Sequence, residues 1–227
     1  MIRKALFVLI SLLAVPTLAS AQAPAKTAAK PAQAAKPAQA VKAGPGTTVV
    51  KQANDTISTL LKQKVAPGSK DEKDLAAKVT NSVRGFLDID QLGKRAMIDQ
   101  WSKLSKEQQQ QFLTVLRELI EANYVKGLRA NLSYTVEYVG ETTDKDGNTV
   151  VTTNVKTQRK GRPYSIEVAY VLVKDGDKLR AFDVKTDGVG LIENYRTMFN
   201  KVIAKDGFAG LLDKMKKKQA DTTPSKT

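Results

Sequence analysis

Pro163-Tyr164-Ser165-Ile166-Glu167-Val168-Ala169-Tyr170-Val171-Leu172-Val173 is the stretch on which the reading of this chain turns. Taken every second residue, Tyr164, Ile166, Val168, Tyr170 and Leu172 form one series, and Ser165, Glu167, Ala169, Val171 and Val173 form the other. A β-strand sends alternate side chains to opposite faces, so the pattern predicts a strand with one uniformly large, apolar face. Water cannot be left against such a face, and most of the remaining chain reads as its cover.

Three further period-two stretches flank this one, so that strands are expected at about 133–142, 149–158, 163–173 and 178–186. The connections Asp144-Lys145-Asp146-Gly147-Asn148, Arg159-Lys160-Gly161-Arg162 and Asp175-Gly176 are rich in turn residues and short enough for hairpins. The expectation is a four-stranded antiparallel meander with the opening stretch as its third strand.

Upstream the apolar period is helical. Val50, Ile57, Leu60, Leu61 and Val65 share a spacing that Pro67-Gly68 ends. Ser69-Lys70-Asp71-Glu72 has the form of a capping box and opens a helix with Leu75, Val79, Val83 and Phe86 inward. A short helix is expected from Asp88 to about Met97. Ser105-Lys106-Glu107-Gln108 repeats the capping logic and starts the longest helix, whose stripe is Phe112, Val115, Leu116, Leu119, Tyr124 and Leu128. After Asp187-Gly188 the helical period returns with Leu191, Tyr195, Met198, Phe199 and Val202, then Gly207, then a short amphipathic piece from Phe208 to Met215. Helices, a sheet and helices again define an α+β fold with the helices packed on one sheet face.

The ends read differently. Residues 1–21 have the form of a cleaved secretory signal: Arg3 and Lys4, an apolar run from Ala5 to Ala14, and the small residues Ala19-Ser20-Ala21. The run falls short of the about 20 residues that span a bilayer, although a retained anchor is the alternative. Residues 22–46 repeat Ala-Ala-Lys-Pro-Ala-Gln at 28–33 and 34–39 and close on Gly44-Pro45-Gly46, a composition expected of a disordered spacer. The folded domain is then expected over 47–213, mainly helical to 132, sheet over 133–186 and helical again over 187–213, with a frayed Lys-rich tail over 214–227.

Composition restricts the chemistry. The chain has no His and no Cys, which excludes His-based triads, His proton shuttles and His–Cys zinc sites. The net charge of +14 is concentrated at the ends; about +4 remains for the folded region, which is modest for a nucleic-acid binder, and no nucleic-acid partner is expected. Asp144-x-Asp146-Gly147-Asn148 has its Gly two positions too early for a calcium loop and reads as a hairpin turn. Arg159, Lys160 and Arg162, with Lys156 nearby, make a basic hairpin tip that fits either an anionic surface or a solvated turn. Asp183 in Leu179-Arg180-Ala181-Phe182-Asp183-Val184 is expected beside Ala181 and Leu179 on one face. It reads either as a catalytic base in a cone-shaped pocket or, preferably, as an acceptor of backbone hydrogen bonds where strand meets helix.

From about Phe86 to Leu212 the chain resembles the MlaC, or toluene-tolerance, family of periplasmic phospholipid-binding proteins. One carrying motif is Trp101-Ser102-Lys103-Leu104-Ser105-Lys106-Glu107-Gln108 followed by Phe112, Tyr124 and Leu128. The other is Phe182-Asp183-Val184, Asp187-Gly188-Val189-Gly190-Leu191 and Asn194-Tyr195-Arg196-Thr197-Met198-Phe199. Lys106 stands where the family has Pro and Gly190 where it has Ser. The Ala/Pro/Lys stretch after the signal is not part of the pattern.

The resemblance implies a non-enzymatic soluble carrier of phospholipid between the inner and outer membranes of a Gram-negative envelope, contributing to outer-membrane lipid asymmetry. It implies a cone-like fold related to nuclear transport factor 2 joined to a helical subdomain. A phospholipid ligand is implied and no cofactor or metal. The implied protein partners are an inner-membrane ABC transporter complex and an outer-membrane lipoprotein–porin complex. Period and resemblance together nominate Trp101, Phe112, Leu116, Tyr124, Tyr164, Ile166, Val168, Tyr170, Leu172, Phe182, Val189, Tyr195 and Phe199 as residues lining an apolar lipid cavity. The competing readings are an envelope protein–protein adapter whose sheet face is ordinary core, and a small cavity enzyme using Asp183.

Overall fold

The computed structural model describes residues 43–127, 134–159 and 162–222. Residues 1–42, 128–133, 160–161 and 223–227 lie outside them, and with them the signal, most of the spacer, Leu128 of the predicted stripe, and Lys160 at the basic hairpin tip. In chain order the elements are α1 (Pro45–Leu61), α2 (Lys70–Phe86), α3 (Ile89–Ala96), α4 (Ile98–Trp101), α5 (Lys106–Lys126), β1 (Thr135–Thr143), β2 (Thr149–Arg159), β3 (Arg162–Asp175), β4 (Lys178–Thr186), β5 (Val189–Gly190) and α6 (Leu191–Thr222). No helix among the described residues is long and apolar enough to cross a membrane.

The sheet is the expected antiparallel meander with one short addition, in the order β1-β2-β3-β4-β5. Val151 faces Tyr170 and Val155 faces Ile166 across β2 and β3, which fixes the large apolar series of β3 and the valines of β2 on the same face. The turns form by the means their residues suggest. The Asp144 carboxylate accepts the amide protons of Asp146 at 2.9 Å and Asn148 at 2.8 Å, making a side-chain-closed hairpin turn. Asp187 and Gly188 both take positive φ, 48° and 84°, to turn β4 into β5.

Strict alternation describes only half of β3. From Arg162 to Val168 burial follows the period, but Val168 through Leu172 are buried without a break, so both faces are covered there. Across from this segment β4 carries a bulge: Val171 faces Asp183 and Leu172 faces Ala181, leaving Phe182 as the extra residue. The expectation that Asp183 shares a face with Ala181 is therefore wrong. The inserted residue reverses the phase, and Asp183 lies on the Val171 face while Ala181 lies with Tyr170 and Leu172.

Helix starts follow their caps. Ser105 and Gln108 form a reciprocal capping box at α5. Ser69 accepts the Glu72 amide proton, but the Glu72 carboxylate reaches one residue further back, to the Gly68 N–H at 2.7 Å. Asp88 caps α3 by accepting from Gln91 N–H at 3.0 Å.

Two expected boundaries move. Helix α1 begins at Pro45, inside the stretch read as spacer, because proline suits a helix's first turn and a distant carboxylate, Glu141, caps it. Helix α6 breaks its dihedrals at Gly207 (φ 71°) as the glycine suggests, but its second limb runs on to Thr222 instead of fraying at Lys214. Leu211, Leu212 and Met215 are buried along that limb, and Gln219 donates to Glu118 of α5 at 3.1 Å. The apolar stripe docks the helix beyond the point where lysines dominate the sequence.

The core is one continuous cluster between the sheet and the helices. Helix α1 lies over β1 and β2 and packs on α2; α2, α3 and α6 lie toward β4. The outer edge of β4 is covered at one end by β5 and at the other by a backbone bridge from Leu87 to Ala181.

Candidate functional site

The apolar interior is assembled from the inner face of β3, helix α5 and the first limb of α6. Ile166, Val168, Tyr170 and Leu172 are buried on the sheet; Phe112, Leu116 and Tyr124 come from α5; Tyr195 and Phe199 come from α6. Spacings of four and eight residues place each helical set on one stripe, so the same sequence pattern that makes the helices also aims these side chains inward.

The aromatic rings form a connected series. Trp101 meets Phe112 edge-on at 6.4 Å, Phe112 meets Phe199 edge-on at 5.4 Å, and Phe199 stacks on Tyr195 at 5.2 Å. These are favoured ring geometries. On the sheet side Tyr170 is tilted against Phe86 at 5.8 Å. The Tyr124 phenol lies close enough to those of Tyr170 and Tyr195 to raise each of them further. Burial pushes the Tyr124 phenol up to about 12 and raises those of Tyr170 and Tyr195 as well. The interior is thus lined by neutral, weakly polar groups.

Most of the nominated residues converge here. Trp101 is half-buried at one end of the ring series, and Tyr164 is half-buried toward the open end of β3. Phe182 is buried at the β4 bulge with the Arg95 guanidinium 4.3 Å above its ring. Val189 does not belong to the group: it is 44 % exposed, because it sits in the two-residue β5 just past the Asp187-Gly188 turn.

Other interior residues are not among those nominated. Phe86 packs on Tyr170, and Asn54 of α1 accepts a hydrogen bond from the Tyr170 hydroxyl and donates one to Tyr138, each at 3.3 Å. Asn54 is four residues after Val50 and three before Ile57, so its helical phase marked it as inward although its chemistry suggested solvent. Glu121 is likewise buried on α5, where Arg84 of α2 donates to both its carboxylate oxygens through Nε and Nη2, the Nη2 bond measuring 2.8 Å.

Asp183 has a defined role away from this interior. Its Oδ1 accepts the N–H groups of Val184 at 2.9 Å and Ile192 at 3.1 Å, tying β4 to the start of α6. Burial raises its carboxyl, and the hydrogen bonds from Ile192 and Val184 offset part of that. A β-carbon on Gly190 would lie 2.6 Å from Asp183 Oδ2, so the glycine leaves the room the carboxylate occupies. Among the described residues no cluster of three or more acidic, His or Cys side chains is arranged to hold a metal.

The elements make an α+β domain: an antiparallel sheet roofed by helices around an apolar core that holds three buried tyrosines. The chain belongs to the MlaC family, whose model, described as MlaC protein, matches residues 51–217. Among solved structures it is similar to a phospholipid-binding protein from Ralstonia solanacearum, determined in complex with a phospholipid. The two chains are 25% identical and superpose with a TM-score of 0.61 over 77% of this chain and 97% of that one. No curated protein matches the sequence. Family and neighbour together point to binding or transport rather than catalysis.

Proposed function

We propose that this protein binds a phospholipid and carries it through the periplasm between the inner and outer membranes. The acyl chains lie between the inner face of β3 and the helices α5 and α6. The observation that carries the reading is the likeness to the phospholipid-bound Ralstonia protein over nearly all of that chain, within a shared family. The interior supports it: buried aliphatic and aromatic side chains, with phenols held neutral by burial, suit hydrocarbon.

Transfer of a lipid through water is opposed by about 0.8 kcal/mol for every exposed CH₂, so a carrier must enclose the tails and needs no reactive group. Residues 1–21 support export to the periplasm, with the signal removed after Ala21. An inner-membrane ABC transporter complex and an outer-membrane lipoprotein–porin complex are the proposed donor and acceptor.

Native mass spectrometry of protein purified without detergent is the test. A mass increment equal to one or more phospholipids, released as intact lipid on denaturation, is expected. Protein that carries no lipid and takes none up from phosphatidylethanolamine/phosphatidylglycerol vesicles would overturn the reading.

A further inference from the structure

A lipid held in the interior would need a way in, and the two sides of the interior are closed by different kinds of contact. On the β4 side, aromatic packing among Phe112, Tyr195 and Phe199 closes the wall. On the β1 side, the wall is α1, and α1 meets the sheet's edge strand through a line of hydrogen bonds.

Thr47, Asn54 and Ser58 lie seven and four residues apart on α1, on one helical stripe. Each finds a polar partner on or next to β1. Glu141 accepts from the Gly46 N–H at 3.3 Å, the Thr47 N–H at 2.7 Å and the Thr47 hydroxyl at 3.0 Å. Asn54 joins Tyr138 and Tyr170, and Ser58 lies beside the Tyr134 hydroxyl.

Helix α1 has no cap from its own N-terminal side chains, so Glu141, more than ninety residues away in sequence, is its cap. Gly44-Pro45-Gly46 is shaped for this contact. A β-carbon on Gly44 would lie 2.5 Å from Glu141 Oε1, and one on Gly46 would lie 2.6 Å from Thr149 Cγ2.

We propose that α1 is the door of the lipid-binding interior, parting from β1 along this polar seam with Glu141 as its latch; this rests on the phospholipid reading above. Part of this seam is hydrogen bonds that can be exchanged for bonds to water at small net cost, and the apolar surface it exposes is that of Val50, Ile57 and Leu61, whereas separating the opposite wall would break the ring packing of Phe112, Tyr195 and Phe199. Opening uncovers Tyr170 and the inner face of β3 directly. Val50 and Ile57 on the same helix are buried when it is seated, and their burial draws the door shut again.

The chain lacks cysteine, so a disulfide can lock the door without competing thiols. Gly46→Cys with Thr149→Cys places the two β-carbons within one C–C bond of the 2.6 Å contact, compatible with the about 3.5–4.5 Å range that a disulfide spans. The readout is uptake of a fluorescent phosphatidylethanolamine from phosphatidylethanolamine/phosphatidylglycerol vesicles by the full chain, oxidised and then reduced, with the wild type treated identically.

Oxidation is expected to slow exchange at least tenfold while lipid already bound is retained, and reduction to restore the rate. Glu141→Ala, which releases the latch without a cross-link, is expected to speed exchange several-fold. Equal rates for oxidised and reduced protein that both hold lipid overturn the door and leave the phospholipid reading intact. The door is equally overturned if the cross-linked variant does not fold and Glu141→Ala exchanges at the wild-type rate. If wild type neither holds nor exchanges lipid, the phospholipid reading falls, and the door with it.

Discussion

Tyr124, Tyr170 and Tyr195 reach the interior from three different elements, and burial keeps each phenol protonated above the ordinary tyrosine range. The sign of the consequence follows from linkage. Below pH 10 the folded and unfolded chains are alike in these groups. Above it the unfolded chain ionises first, so stability falls as pH rises from about 10 toward the value near 12 at Tyr124. In an absorbance titration of tyrosinate these three residues are expected to ionise only with unfolding. Smooth, reversible ionisation of all six tyrosines near pH 10 in folded protein would contradict their burial. Asp183 behaves with the same sign at the acid end. Its raised carboxyl takes up its proton at higher pH than the unfolded chain's, so the contribution of this residue to stability falls as pH rises from the ordinary Asp value through the raised one. Asp183→Asn is expected to remove that component from the dependence of the urea midpoint on pH, and an unchanged slope would contradict it. The face on which Asp183 lies is not legible in the sequence, because a period-two reading assumes one residue per pleat and the bulge at Phe182 breaks that count. Val189 misleads for a different reason: it is apolar and lies within a family motif, but β5 is too short to have an inner face. Val189→Ser is expected to leave urea stability within about 0.5 kcal/mol of wild type and lipid content unchanged.

At the scale of elements, helices and strands with strong periods and caps are readable: α5 from its capping box and apolar stripe, β3 from its alternation, the hairpins from their Asp, Asn and Gly residues. What escapes is whatever depends on a partner distant in sequence. Helix α1 starts at Pro45 because Glu141 of β1 caps it, and the second limb of α6 persists because α5 receives it. Neither partner can be inferred from the local composition, which is Ala/Pro/Lys at one end and Lys-rich at the other. The Arg84–Glu121 pair between α2 and α5 is a third such case, and its energetics are asymmetric. Arg84 is half exposed while Glu121 is buried, so removing the arginine strands a carboxylate. Arg84→Met is expected to lower urea stability by about 1–3 kcal/mol, and adding Glu121→Leu to recover most of that loss. A double variant no more stable than the single one would show that the pair itself, rather than the stranded charge, sets the effect.

For the whole molecule, the α+β class and the meander follow from the switch of period near Tyr134 and back near Leu191, and the two separated motifs point to the MlaC family that the chain belongs to. Periodicity lists inward residues but does not say which of them meet. That requires the register of β2 with β3 and the packing of α6 on α5, which set Tyr124 near both Tyr170 and Tyr195. This meeting place is where the proposed function puts the lipid tails. Loading the protein with a phospholipid whose acyl chain carries a photoactivatable diazirine, irradiating it and mapping the adducts by peptide mass spectrometry reads that placement directly. Adducts on the inner face of β3 and on the α5 and α6 residues around Phe112 and Phe199 are the expected result. Adducts confined to exposed positions such as Ile98 and Val189, with none in the interior, would contradict it.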